Sequence, residues 1–450
     1  MAINTLQAQS PMLATRAKAP GAPAATVAKS LPLSQDTIAI RNSDALLTRP
    51  QLSHIGKAVS PTAAAPFRPG NKIDYYVGGE EAFPMLHQVI DSAKHRIDME
   101  YFSFFNDETG NAMADKLIAK AQSGVQVNLL LNHGNSFKHQ ALADRMIAGG
   151  VRVHYFTNGH QHLLPIPQAE RGVGAKFLNG ATLHPSDTVD HKKVTLVDGK
   201  IGVTGGMNIG DPYAKYWHDG MTKVEGPTVQ DMYAQFEKNW GMSNGEALRP
   251  TTIDTAAKGD VTAQFAVTRP KLHEVKSGML AAFGAAKDNI KITSPYFIDE
   301  DLVSSLEAAS KRGVKVHAII PTVGDNPMVD MMNDSVSNRL KAAGVDVHRY
   351  DTMNYDFGKH DHGTDHFNHI KAYTVDDTFA GFGTANADSR SMAHNQEDMI
   401  QVDDAATAQK LNAQLFDKDM ATLAKPAEIT EEKGLKGLAT EILNKFRFAF

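Results

Sequence analysis

The chain has no cysteine, which excludes disulfides, zinc ribbons, iron–sulfur ligation and a thiol nucleophile together. It also lacks any apolar run of about 18 residues, so no segment reads as a membrane-spanning helix. Charge of one sign is not in large excess. A formal net charge of −5 over 450 residues speaks against coating nucleic acid by bulk electrostatics, although it leaves room for a local basic groove. What is present is ordinary for a globular chain: 42% hydrophobic and 22% charged residues exclude a mostly disordered protein or a coiled coil. The length points to two domains or one large duplicated unit.

From Met1 to about Gly70 the chain is rich in Ala, Pro, Ser and Thr, and only Asp36 and Asp44 are acidic. Such a stretch buries too little apolar surface to offset its ordering entropy. It is expected to be a disordered leader over 1–70, without the apolar core of a Sec signal peptide. Leader or linker, and address for a non-Sec export machinery, both fit this composition.

The body repeats itself. Ile97-Asp98-Met99-Glu100-Tyr101-Phe102, a helical pattern and then Ser123-Gly124-Val125 opening an apolar run are matched by Ile290-Lys291-Ile292-Thr293, a helical pattern and Arg312-Gly313-Val314. Gly149-Gly150-Val151 and Ala343-Gly344-Val345 follow in the same order. Each Gly-Val step ends a helix and opens a β-branched strand, the punctuation of α/β units. The expected fold is therefore α/β, with two homologous lobes over 71–250 and 251–425.

Each half delivers the same polar set. His191, Lys193 and Asp198, and again His369, Lys371 and Asp376, read H-x-K-x4-D; Asn208 and Asn386 each lie 17 residues beyond their histidine. Roughly 0.1 chance matches to that pattern are expected in this chain, so two matches in corresponding places are a signal. In a strand, residues i and i+2 share a face, which turns each histidine and lysine the same way. A further strand, such as Ile201–Thr204, returns the asparagine beside them, and Gly205 and Gly206 let backbone approach a ligand. Two imidazoles, two ammonium groups and two amides converging from two lobes suit a tetrahedral anion without a metal. One neutral imidazole attacks phosphorus while the other, protonated, gives its proton to the leaving oxygen. The lysines and asparagines stabilise the transition-state oxygens.

These paired motifs resemble the phospholipase D superfamily, and most closely its bacterial cardiolipin synthase and phospholipase D branch. The likeness runs from about Tyr75 to Met420. Trp217-His218-Asp219 with Gly226-Pro227, Thr293-Ser294-Pro295-Tyr296-Phe297, and Asn386-Ala387-Asp388-Ser389-Arg390-Ser391 with Asn395-Gln396-Glu397 are similar to segments of that branch. The resemblance implies two pseudo-symmetric lobes, each a mostly parallel or mixed sheet flanked by helices, with the active site between them. It implies a covalent phosphohistidine and no cofactor or metal, with His191 favoured as nucleophile and His369 as general acid. Lys193, Lys371, Asn208 and Asn386 become phosphate ligands. Asp219 and Glu397 become the carboxylates that fix the histidine tautomers, and Asp198 and Asp376 are structural. Thr384 stands where the family often has serine, and the membrane-spanning segments of cardiolipin synthases have no counterpart in this chain.

Other segments read less sharply. Gly358 to His369 carries four histidines and two aspartates and fits a polar loop at the mouth of the site, with a metal cluster as the alternative. His160 and His162 precede an apolar Leu-Leu-Pro-Ile-Pro stretch that suits a loop contacting acyl chains or packing on its own domain. Residues 426–450 have an amphipathic helical pattern, suited to docking on the protein or to a membrane surface. The expected activity is a phospholipid phosphodiesterase or phosphatidyltransferase at a membrane surface, with water or an alcohol as acceptor, cytoplasmic or exported. A superfamily nuclease, a transferase using phosphatidylglycerol, and a membrane-binding protein with a vestigial site are the alternatives. Nucleic acid is the less favoured partner.

Overall fold

The computed structural model describes residues 38–40, 51–133, 139–156, 188–243, 245–350 and 367–428, all within the compact unit formed by 37–450. The leader up to residue 37, the stretches around His160 and from Gly358 to His366, and residues 429–450 lie outside the described residues.

The first lobe runs β1 (Arg68–Val77), α1 (Gly79–Ser92), β2 (Arg96–Tyr101), α2 (Glu108–Gln122), β3 (Gln126–Asn132), α3 (Gln140–Ala148), β4 (Arg152–Phe156), β5 (Lys193–Val197), β6 (Ile201–Gly205), β7 (Gly220–Glu225) and α4 (Val229–Met242). The second runs β8 (Val261–Arg269), α5 (Glu274–Ala285), β9 (Asn289–Thr293), α6 (Glu300–Lys311), β10 (Lys315–Pro321), α7 (Pro327–Ala342), β11 (Asp346–Tyr350), β12 (Ala372–Val375), β13 (Phe379–Gly383) and β14 (Glu397–Asp403). Strand order is β1-β7-β6-β5-β2-β3-β4 in the first and β8-β14-β13-β12-β9-β10-β11 in the second, the same order twice. Three neighbours in each lobe are parallel and the rest antiparallel. β1 and β8 pair antiparallel and join the halves into one continuous sheet.

The Gly-Val punctuation has a common geometry at all four helix ends. Gly124, Gly150, Gly313 and Gly344 have φ of 94°, 96°, 91° and 88°, a conformation that costs L side chains dearly. The following valine N–H then reaches back to the carbonyl of Lys120, Met146, Ala309 or Leu340 at 3.0–3.1 Å. This six-to-one bond closes the helix and aims the chain into the next strand. At the other end, Asp107 and Asp299 cap α2 and α6 by accepting from Gly110 and Leu302 N–H at 2.9 and 3.1 Å. Those caps satisfy amides that no helical carbonyl can reach.

One apolar cluster lies within each lobe, and a third is shared between them. In the shared cluster Tyr75 of β1 packs on Phe382 of β13 with ring centroids 5.4 Å apart. The seam between lobes is thus a core, and the sheet crosses it.

The boundary at residue 70 needs correction, because His54–Val59 forms a helix. Ile55 and Val59 are buried against Val275 and Met279 of α5, and Ser53 N–H donates to Asp403 at 2.8 Å. Composition misplaced the boundary because two apolar side chains and one polar anchor suffice for so short a segment. Among the described residues no helix is long and apolar enough to cross a membrane.

Candidate active site

Neither histidine lies inside a regular strand, as the i, i+2 argument had placed it. Each precedes one, β5 or β12, in a short segment that pairs across the seam. His191 N–H donates to Gln396 O at 3.0 Å and Gln396 N–H to Val189 O at 2.8 Å; His369 N–H donates to His218 O at 2.8 Å and His218 N–H to Phe367 O at 2.9 Å. The two halves therefore exchange backbone bonds symmetrically. The residue after each partner, Glu397 or Asp219, carries a buried carboxylate.

Those carboxylates also cross the seam. His191 Nδ1 lies 2.9 and 3.0 Å from the two Glu397 oxygens, and His369 Nδ1 lies 2.7 Å from Asp219 Oδ2. A carboxylate acceptor places the proton on Nδ1 and leaves Nε2 as the ring nitrogen available for chemistry. Lys371 Nζ also lies 2.7 Å from His369 Nδ1. One nitrogen cannot both donate to Asp219 and accept from Lys371, so the ammonium proton goes to the His369 carbonyl, which Lys371 also touches. Lys193 makes the same contact with the carbonyl of His191 and sits 5.2 Å from the centre of the Phe102 ring.

Burial sets the electrostatics. Lys193 and Lys371 are 0% and 1% exposed. Desolvation, with each ammonium opposing the other, holds Lys193 at about 7. Lys371 is held at about 8, where burial outweighs the pull of Asp219 and Glu397. His369 is pushed down to about 3 by burial and then by Lys371. His191 is lowered too, by burial, against the opposing pull of Glu397. Burial alone would raise Glu397, but His191, Lys193 and Thr384 outweigh it and keep it below the ordinary value. For both lysines and both histidines burial is the largest influence, and the carboxylates of Glu397 and Asp219 offset it only in part.

The asparagines come to the same region with unequal partners. Asn208 Oδ1 accepts from Ser103 N–H at 2.9 Å and its Nδ2 donates to Tyr213 OH at 2.8 Å. Asn386 Oδ1 is buried with no partner among the described residues. Asp198 and Asp376 sit at the far ends of β5 and β12. Asp198 accepts from the N–H groups of Lys94, His95 and Arg96 at 2.7–2.9 Å. Asp376 accepts from those of Lys287, Asp288 and Asn289 at 2.8–3.0 Å. Each carboxylate ties the start of a neighbouring strand and touches neither histidine.

Sequence reasoning missed the aromatic collar. Phe102 meets the His191 ring at 4.9 Å, and Tyr213, Trp217 and Phe367 meet His369 at 5.7, 5.1 and 5.5 Å. Phe102 follows the repeated strand, and Tyr213 and Trp217 lie in the aromatic run before Asp219, so proximity to motif residues was the available signal. The support of Glu397 was also missed: Thr384 Oγ1 donates to Glu397 Oε2 at 2.6 Å and accepts from Asp398 N–H at 2.9 Å. So was a buried network behind the site, in which Lys192 binds Glu100 and Asp190 while Thr204 donates to Asp398 across the seam.

The family model described as cardiolipin synthase, phospholipase D-like domain matches residues 86–240 and 279–420, the two lobes just described. A probable cardiolipin synthase of Bacillus subtilis (strain 168) is 29% identical over 355 residues, which are 76% of this chain and 64% of that protein. A cardiolipin synthase of Staphylococcus aureus (strain Mu50) is 29% identical over 382 residues, 81% of this chain and 70% of its own length. The fold is similar to that of phosphatidylserine synthase from Haemophilus influenzae, with a TM-score of 0.63 at 14% identity, covering 88% of this chain and 97% of that one. Polyphosphate kinase from Porphyromonas gingivalis gives 0.51 at 14% identity, over 84% of this chain and 53% of the other. Two complete H-x-K-x4-D halves, joined by reciprocal carboxylate–histidine pairs and matched by that model over both lobes, place this chain in the phospholipase D superfamily, in its cardiolipin synthase branch.

Proposed function

We propose that the protein transfers a phosphatidyl group from phospholipid at a membrane surface to an alcohol or to water. The observation that carries this reading is the pair of cross-lobe contacts, His191 with Glu397 and His369 with Asp219. They leave two ring nitrogens for the two sides of one phosphodiester. Nε2 of His191 attacks phosphorus, the P–O bond to the headgroup breaks, and Nε2–H of His369 delivers its proton to the departing oxygen. In the second half, Nε2 of His369 takes a proton from the incoming alcohol or water. That oxygen attacks phosphorus and the N–P bond breaks. Lys193, Lys371, Asn208 and Asn386 hold the non-bridging oxygens. A bound phosphodiester supplies the missing negative charge, which raises the depressed pKa of His369 and allows it to enter the reaction protonated.

The peripheral location rests on the lipid-acting relatives, and export rests on the leader composition alone. The test uses purified protein, EDTA, liposomes containing phosphatidylglycerol, and added ethanol, with products read by mass spectrometry. Cardiolipin, phosphatidylethanol or phosphatidic acid from wild type, and none from His191→Ala or His369→Ala, supports the reading; the product ratio names the acceptor. No lipid turnover, with cleavage of DNA by the same histidines, would replace it with a nuclease.

A further inference from the structure

Away from the catalytic seam, the second lobe carries a group of metal-ligating side chains that the phosphoryl chemistry does not use. His317 on β10 and Asp346 and His348 on β11 present three donor atoms within 4.8 Å of one another. His317 Nδ1 lies 2.9 Å and His348 Nε2 3.1 Å from the same oxygen, Oδ2 of Asp346. The backbone fixes this convergence: the parallel ladder sets His317 opposite Asp346 and Ile319 opposite His348. The donors are therefore on one sheet face and held by rigid strands. The neighbouring cation on that face, Lys291 opposite His317, is drawn to Asp417 at 2.7 Å. The site stays reachable from solvent, since the His317 and His348 side chains are 28% and 12% exposed.

We propose that His317, Asp346 and His348 form a surface site for a zinc-like divalent transition metal. Donor atoms about 2.0–2.1 Å from a tetrahedral ion sit about 3.3 Å apart, close to the two imidazole–carboxylate spacings, and with the remaining pair within 4.8 Å a modest side-chain adjustment admits an ion. Two imidazoles and one carboxylate select zinc, cobalt or nickel over calcium and magnesium, which prefer all-oxygen shells. Three protein ligands leave the fourth position to water. Metal on Nε2 of His348 moves the ring proton to Nδ1, which is buried with no partner among the described residues. Lacking that outer support, the site is expected to bind about 10–100-fold more weakly than one whose rings are held by second partners.

The histidine-rich stretch up to His366 is a second possible zinc ligand, so the test is made in a full-length background with His360, His362 and His366 changed to Ala. Titration calorimetry with zinc chloride is expected to show one ion per chain, at least tenfold weaker after His348→Ala and after His317→Ala. Calcium chloride is expected to give no heat. Thermal unfolding without metal verifies that each variant folds, and zinc is expected to raise the melting temperature of the background protein alone. Asp346→Asn, which keeps the shape of the side chain, serves if either histidine variant fails to fold. Zinc binding unchanged by these substitutions, calcium binding as tight as zinc, or no zinc binding by the background protein below about 1 mM overturns the proposal.

Discussion

Anion binding is expected to draw protons into the site, by an amount that follows from the two lysines. Tungstate is tetrahedral and remains a dianion at neutral and mildly alkaline pH, so it imitates the phosphate without releasing protons of its own. In the free protein Lys193 is held at about 7 and Lys371 at about 8, in both cases first by burial. At about pH 8 the first is roughly one-tenth protonated and the second roughly half. A dianion between them supplies opposite charge that offsets the cost of burial and restores both charges, so binding takes up about 1.4 protons. At about pH 6 both lysines are already charged and their share falls to about 0.1; uptake there belongs to the histidines, whose pKa values are also lowered. The assay is titration calorimetry in Tris and in HEPES, where the slope of heat against buffer ionisation enthalpy counts protons. Lys193→Met is expected to remove about 0.9 of the uptake at about pH 8 and Lys371→Met about 0.5. Tungstate binding with buffer-independent heat at that pH, or uptake unaltered in both variants, refutes the reasoning.

Asp219→Asn and Glu397→Gln keep shape but lose the charge that fixes each histidine's tautomer, and turnover of phosphatidylglycerol liposomes is expected to fall about 10²–10⁴-fold in each. A fall of less than about tenfold in either would show that the cross-lobe contact does not matter to the chemistry. Asp198→Ala or Asp376→Ala strips an acceptor from three backbone amides, costing about 2–3 kcal/mol in urea unfolding with turnover per folded molecule retained. Thr384→Val leaves the Asp398 amide unpaired and releases Glu397. It is expected to cost about 1–3 kcal/mol and to slow turnover less than Glu397→Gln does; equal slowing would mean that the hydroxyl itself reaches substrate.

The repeat could be read from sequence because its punctuation is local. A glycine whose backbone must turn left-handed, followed by valine, leaves a mark at four positions whatever the rest of the lobe does. The H-x-K spacing was legible for the same reason, since histidine and lysine reach one site through two residues of extended chain. The reciprocal exchange was not legible. Asp219 and His369 are 150 residues apart and Glu397 and His191 are 206 apart, and no local pattern says which carboxylate serves which ring. The aromatic collar was hidden for a different reason: Phe102, Tyr213, Trp217 and Phe367 have the composition of any core, and only the fold turns them toward the imidazoles. At the leader boundary, a six-residue helix held by Ser53 and Asp403 has too few apolar residues to show periodicity.

The same exchange explains why neither copy is satisfied alone and bears on why the copies differ. Each lobe supplies one histidine and the carboxylate that orients the other lobe's histidine, so a lobe alone would bury an imidazole without its acceptor and a carboxylate without its donor, each costly in a dry interior. The seam must therefore close for either half to be satisfied, and the continuous sheet through β1 and β8 with the shared core beneath it closes it. Yet strict symmetry would give both imidazoles the same environment, whereas a nucleophile and a proton donor need different ones. The sequence breaks the symmetry at equivalent positions. Gly206 has no side chain, and a Cβ there would overlap Asp219, so the shorter carboxylate settles against backbone. Thr384 fills the corresponding place in the other lobe, and its hydroxyl supports the longer Glu397, which presents both oxygens to His191. Glycine with aspartate in one half and threonine with glutamate in the other keep the architecture common while making the two histidines electrostatically distinct.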